Sequence, residues 1–258
     1  RAPTYPSQPY TPLESEAALK RRETIATVVL ACHGKPVASS VIQDALYNDK
    51  PTERKTIENV VSAMRKQLGA LRDGTLIVPS NSKHKNQLGL DPRVKSDLQL
   101  LREALASAPE LSSAEAMMVL DRTHRLIEGP PFDAIGYSWA YDQHFATDAN
   151  EVIADATTEL VDRALELDMI DVARCATRRA FRALDCHEAL YRARMKIEHH
   201  AGNPPGVRAA YDELCRELHP LGGRPADETA TLLANLMGTA ATTSRRLLGE
   251  NERSERDG

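Results

Sequence analysis

The amino-acid sequence predicts a mainly α-helical protein with two domains, and three observations lead to this. A chain of 258 residues is longer than most single hydrophobic cores support. Aromatic residues make up 4% of it, while alanine and leucine are common, which favours helices packed through small residues over a β-sandwich. Apolar residues recur every three or four positions through most of the chain.

Charge divides the chain into two parts of opposite sign. Residues 1–92 carry 13 Lys+Arg and 9 Asp+Glu, whereas residues 93–258 carry 20 and 28. The front is therefore net +4 and the back net −8, which together give the −4 of the whole chain. This asymmetry predicts two modules with different partners, of which the basic front is the better suited to nucleic acid.

The sequence also predicts a cytoplasmic location. It contains no run of about 18 apolar residues, so no membrane insertion is expected. Four scattered cysteines, without a C-x-x-C pair, are typical of reduced thiols; they are Cys32, Cys175, Cys186 and Cys215. The first residue is Arg1 rather than Met, so an upstream domain or anchor is compatible with the sequence.

The front domain, residues 11–92, is expected to follow a Pro-rich disordered arm at residues 1–10. A capping sequence at 11–14 starts a first helix that ends near Gly34, and a second helix is predicted over 39–47. Thr52 caps a third, over 53–71, whose apolar residues share one face; they are Ile57, Val60, Val61, Met64, Leu68 and Leu71. Two short strands, 76–78 and 87–90, flank a polar turn and predict a β-hairpin.

The back domain, residues 93–250, is predicted to consist of successive helices. We expect them at 96–107, 113–128, 138–167 (with a possible interruption), 170–184, 187–201, 205–218 and 226–237. Short loops between the later helices predict antiparallel neighbours. A weak repeat at an offset of about 35 residues is close to the period of tetratricopeptide hairpins. The charged tail, 251–258, is expected to be disordered.

Three helices followed by a hairpin form a winged helix-turn-helix, and the motifs that follow it carry a family resemblance. They are Gly129-Pro130, the lone Trp139, two helical hairpins with Ala209-Ala210-Tyr211 in the last, and the closing string LGGRPADE at 221–228. This order resembles the bacterial transcriptional activator domain family over about 24–237. In that family an OmpR-type winged helix precedes a tetratricopeptide-like domain. A Pro-rich arm stands where its front sheet would be, so the winged helix here is abridged.

The resemblance implies a transcription regulator, and the third helix supplies its candidate DNA contacts. Its polar face presents Lys55, Asn59, Ser62, Arg65 and Lys66. Lysine and arginine contact phosphates or guanine, and asparagine can pair with adenine from a helix in the major groove. In the predicted turn, Lys83, His84 and Lys85 suit phosphate or minor-groove contact. The alternative is that both are ordinary solvated surfaces, and acidic Glu53 and Glu58 on the helix favour it.

Arginines concentrate on one later helix. Arg174, Arg178 and Arg182 are spaced by four and share a face, and Arg192 follows on the next helix. Such a cluster could bind a protein partner or an anionic signalling nucleotide. The alternative is pairing with the many acidic residues of this half of the chain.

No pattern indicates catalysis or a cofactor. The sequence has no P-loop, G-x-S-x-G, G-x-G-x-x-G or H-E-x-x-H motif. Adjacent pairs such as Cys186-His187 and His199-His200 point about 100° apart on a helix, so no metal site is predicted.

Two functions therefore compete, both of them non-enzymatic. The first is a bacterial transcription regulator whose winged helix binds DNA and whose helical domain serves oligomerisation, partner binding or effector binding. The second is an interaction or signalling module of a larger, possibly membrane-tethered protein. In it the winged helix no longer reads DNA, and the tetratricopeptide-like domain binds a protein or an anionic nucleotide.

Overall fold

In a computed structural model of the chain, the structure describes residues 25, 29, 35–47, 54–79, 87–133 and 137–238. The chain divides into two compact units, Arg1–Ser96 and Asp97–Gly258. The predicted arm (1–10), the tail (251–258) and most of the first predicted helix lie outside the described residues. Within that helix, Ile25 and Val29 are helical and fully buried.

The first unit contains two short strands, β1 (Val37–Ala38) and β2 (Gln87–Leu88), and two helices, α1 (Ser39–Tyr47) and α2 (Arg54–Leu68). The second predicted helix is confirmed at its stated bounds. The third ends at Leu68 instead of Leu71, because Gly69 takes a left-handed φ of 68° and donates its N–H to Arg65 O. A glycine in this conformation is the usual end of a helix, since side chains with a Cβ rarely adopt it.

The small sheet differs from the predicted hairpin in the partner of β2. Residues 87–88 pair antiparallel with Val37 and Ala38, so 76–78 does not form the neighbouring strand. Leu76 instead forms an isolated bridge to Ala70 across a tight turn in which Leu71 N donates to Thr75 O. Pairing β2 with β1 buries both Val37 and Leu88, whereas Leu76 remains 42% exposed. Burial of the two apolar side chains favours the observed pairing.

A salt-bridged cluster around Arg93 fixes the end of the first unit. Its Nε donates to Asp91 Oδ1 at 2.8 Å, and its Nη1 lies 2.5 Å from Asp73 Oδ2. The hydrogen bond from Arg93, helped by the backbone N–H of Thr75, holds the pKa of Asp73 well below its usual range. Arg93 also lowers the pKa of Asp91. The 73–75 turn and the segment leading to the second unit are thereby joined.

In its described ranges the second unit consists of helices joined by turns and loops. Its helices are α3 (Asp97–Ser107), α4 (Ser113–His124), α5 (Ser138–Asp142), α6 (Phe145–Glu166), α7 (Ile170–Ala180), α8 (Glu188–His200), α9 (Pro204–Leu218) and α10 (residues 227–238). The possible interruption in 138–167 occurs at Gln143–His144, where His144 has a φ of 62°. The helices predicted to end at 128 and 184 stop at His124 and Ala180.

Helix α6 lies at the centre of this unit. It contacts α3, α4, α5, α7 and α8, and half of its buried residues are alanine. Small side chains let neighbouring helices approach closely. Ala164 on α6, Ala116 on α4 and Ala173 on α7 all belong to the same buried cluster. No helix in the described ranges is long and apolar enough to cross a bilayer.

A buried histidine connects three of these helices. His124 of α4 is fully buried, with Nε2 at 2.8 Å from Thr157 Oγ1 of α6 and Nδ1 at 2.9 Å from Arg179 Nη1 of α7. Arginine can only donate, so Nδ1 accepts and the neutral ring donates from Nε2. Thr157 Oγ1 in turn donates a hydrogen bond to Ile153 O at 2.6 Å. Burial, with the Arg179 charge second, lowers the pKa of His124 to about 4.

This arrangement predicts loss of stability in mild acid. An unfolded histidine takes up its proton near pH 6.5 and the folded one only near 4, so between these values the unfolded state binds more protons. The contribution of neutral His124 to the free energy of unfolding is complete above pH 6.5. It is lost as the pH falls through this window, by about 3 kcal/mol in total. Chemical unfolding of the chain from pH 7 to pH 4.5 measures it.

The matched variants are His124→Gln and His219→Gln, the second at an exposed position. We expect His124→Gln to be less stable at pH 7 and to show a shallower pH dependence, whereas His219→Gln keeps the wild-type slope. Equal slopes for wild type and His124→Gln would exclude the buried imidazole as the cause.

Candidate nucleic-acid interface and arginine groove

Helix α2 separates an apolar face from a polar stripe. Ile57 and Met64, seven positions apart, are buried with 6% and 2% exposure. On the other side Lys55, Asn59, Ser62 and Lys66 are all exposed. Their spacing of four, three and four places them on one line along the helix. The structure therefore brings four of the five predicted α2 residues together on an exposed surface, which we name the α2 stripe.

Arg65, the fifth, lies off the α2 stripe and has intramolecular partners. Its Nε donates to Val78 O at 3.1 Å and its Nη2 to Pro79 O at 3.3 Å. The side chain is half-buried. It holds the segment after the 73–75 turn against α2, which is a structural use of a residue that the sequence assigned to DNA. Residues 83–85, with Lys83, His84 and Lys85, lie outside the described residues.

In the second unit a cavity of about 470 Å³ opens between α7 and α8. Three arginines line it, Arg174 and Arg178 from α7 and Arg194 from α8; we name it the arginine groove. Two carboxylates, Asp171 and Glu198, and the apolar side chains of Phe181 and Ile197 complete most of its wall. Two of the four predicted arginines thus share one site.

The other two predicted arginines lie outside this cavity. Arg182 is exposed one turn beyond Arg178 and does not line the groove. Arg192 is held on the other side of α8, where Nη1 donates to Thr229 Oγ1 at 3.2 Å and Nε lies 3.8 Å from Glu228. The alternative of intramolecular pairing therefore describes Arg192.

Arg194 joins the groove because α7 and α8 form an antiparallel hairpin. Arg178 and Arg194 are equidistant from Cys186 in the sequence, as are Arg174 and Glu198. Folding the chain back at Cys186, which has a φ of 50°, brings each pair together. This symmetry about the loop is the signal by which the sequence could have placed Arg194 in the site.

The contacts of the groove arginines differ in strength. Arg194 Nη1 donates to Glu213 Oε2 of α9 at 2.8 Å, whereas Arg174 Nη2 lies 3.5 Å from Glu198 Oε1. Arg178 Nη2 donates to the thiol of Cys175 at 3.1 Å. Among the described residues no group of three or more His, Cys, Asp or Glu is arranged to hold a metal ion.

Comparison with known proteins identifies the fold. No protein-family model and no curated protein matches the sequence. Among solved structures, EmbR of Mycobacterium tuberculosis, in complex with a low-affinity phosphopeptide, superposes with a TM-score of 0.65 at 16% sequence identity. The match covers 90% of this chain but 65% of EmbR, so this chain spans less than two thirds of that protein. The predicted fold, a winged helix followed by a helical domain, is confirmed.

Arg65 and Lys66 are adjacent on α2 and carry the same charge, but among the described residues only the Arg65 side chain is hydrogen-bonded to another segment of the chain. Arg65→Gln removes the guanidinium that binds two carbonyls, so we expect the free energy of unfolding of the first unit to fall by about 1–2 kcal/mol. Lys66→Gln removes the same charge from an exposed site, and we expect a change within about 0.5 kcal/mol. Urea unfolding measures both, and equal losses would contradict the assignment of Arg65.

Proposed function

We propose that this chain is the DNA-binding and partner-binding part of a transcription regulator without enzymatic activity. The observation that carries the proposal is the α2 stripe, an exposed line of two lysines, an asparagine and a serine on the third helix of a winged-helix unit. The third helix of this arrangement is the one that enters the major groove. The fold shared with EmbR and the sequence resemblance to transcriptional activator domains support the same function.

The chemistry of the α2 stripe suits a duplex. Lys55 and Lys66 lie at its two ends, separated by three turns of helix or about 16 Å, and each can reach a phosphate. Asn59 and Ser62 lie between them, where a side-chain amide and a hydroxyl can meet base edges. Glu58 is exposed beside this line and disfavours close approach of a phosphate on its side. We therefore propose that affinity comes from the two lysines and base selection from Asn59.

The second candidate is an interaction module in which the winged helix has a structural role only. The arginine groove favours it, because a cationic site in the helical unit serves a partner or effector without any DNA. EmbR was solved with a phosphopeptide, which supports partner binding by proteins of this fold. In this alternative the α2 stripe is a solvated helix face.

Salt-dependent DNA binding distinguishes the two candidates. The change is Lys55→Gln with Lys66→Gln, which removes two cations from the α2 stripe. We expect the slope of log affinity against log salt to become less steep by about 2, because each phosphate contact contributes about 0.9. Fluorescence anisotropy of a labelled promoter-length DNA duplex, titrated with the complete chain between about 50 and 200 mM salt, measures this slope.

The control is Gln67→Glu, which lowers the charge by one unit, against two for the double substitution, at an exposed position next to Lys66 on a different side of α2. We expect the control to keep the wild-type slope. No binding by the wild type at 50 mM salt would reject DNA binding. A pull-down partner whose capture survives the double substitution would then support the interaction module.

A further inference from the structure

We propose that the arginine groove binds a small organic phosphate, a ligand with a phosphate group and an apolar or aromatic body. The groove belongs to the second unit, so this proposal goes beyond DNA binding and does not depend on it. It rests on three properties of the site: two arginines with weak intramolecular partners, an apolar wall, and a size that suits a small molecule.

The first property is the supply of donors. A guanidinium has five N–H donors. Arg174 makes one long contact, at 3.5 Å, with Glu198, whose other oxygen already accepts from Asn203 Nδ2 at 2.7 Å. Within the described part of the chain, Arg178 is in contact with the sulfur of Cys175 and not with a carboxylate. Both side chains are exposed and one helical turn apart. Each guanidinium can therefore donate a bidentate pair of hydrogen bonds to the same phosphate or to neighbouring phosphates.

The second property is the apolar wall. Phe181 and Ile197 line the groove beside the arginines. The Phe181 ring is held by an edge-to-face contact with Tyr191, with the ring centroids 5.0 Å apart. A fixed ring next to a phosphate site suits a ligand with a flat or apolar part. Asp171 of α7 and Glu198 of α8 also line the groove, where they can accept hydrogen bonds from amino or hydroxyl groups.

The third property is size, which favours a small molecule over a peptide. A volume of about 470 Å³ falls within the range of about 300–1,000 Å³ usual for small-molecule sites. The α7 wall runs from Asp171 to Phe181, about 15 Å of helix. Only about four or five residues of an extended peptide, at roughly 3.3 Å per residue, would fit along this length. A nucleoside diphosphate fills such a site with its own ring and charges.

Isothermal titration calorimetry with the complete chain tests the proposal. The probes are ADP, GDP, CDP, UDP and inorganic pyrophosphate. We expect at least one nucleoside diphosphate to bind more tightly than pyrophosphate. Arg174→Gln and Arg178→Gln should each weaken that binding by about tenfold, the usual effect of losing one charge-assisted hydrogen bond. Phe181→Leu should weaken the nucleotide but leave pyrophosphate unchanged.

The control is Arg208→Gln, which removes an exposed arginine of α9 outside the groove and should leave binding unchanged. Thermal unfolding of each variant separates loss of binding from loss of folding. Three results would overturn the proposal: no heat of binding with any nucleotide at millimolar concentration, pyrophosphate binding as tightly as every nucleotide, or equal weakening by Arg208→Gln. Binding of an acidic or phosphorylated peptide in place of the nucleotides would also overturn it. Failure of DNA binding in the anisotropy experiment leaves this result unaffected.

Discussion

Close packing around α6 is the constraint on which the second unit depends. Its buried surface combines Leu160 and Val161 with alanines, whose small side chains let neighbouring helices pack at short range. Because α7 packs directly on α6, Ala173, Ala176 and Ala180 must face inwards. The helical period then leaves Arg174 and Arg178 pointing outwards, towards the groove that α8 completes. The site is therefore a consequence of where the small residues lie.

The buried histidine inside this packing is hydrogen-bonded to other side chains on both of its ring nitrogens. His124 is held between Thr157 and Arg179, and each partner comes from a different helix. A histidine that is neutral and bonded on both nitrogens specifies the relative position of α4, α6 and α7, because a shift of any one helix would leave a buried polar atom without a partner. The same residue makes this packing sensitive to acid. Arg179 is thus structural, although it is adjacent in sequence to Arg178 of the groove.

The two units use arginine in two ways. Arg65 and Arg93 fix loops of the first unit through carbonyl and carboxylate oxygens, and Arg192 and Arg194 bind acidic side chains of the second. Acidic residues are plentiful in the second half of the chain, and several of its described cations, such as Arg102, Arg163 and Lys196, lie close to a carboxylate. Arg174 and Arg178 have weaker partners, because Glu198 is shared with Asn203 and Cys175 offers a sulfur atom instead of a carboxylate. Local competition for partners, rather than the number of arginines, defines the candidate site.

The sequence by itself determined the helices, the fold and the exposed face of α2, because these depend on periodicity, capping and breakers that act within a few residues. It also identified Arg174 and Arg178 as neighbours on one face. Tertiary structure alone decided the partner of β2, since burial of Val37 with Leu88 joins segments that are far apart in the chain. It likewise decided the roles of Arg65 and Arg192 and the burial of His124. Whether an arginine can bind an external ligand depends on which carboxylate and carbonyl oxygens folding brings close to it. These oxygens come from distant segments, so the local sequence does not predict the contacts.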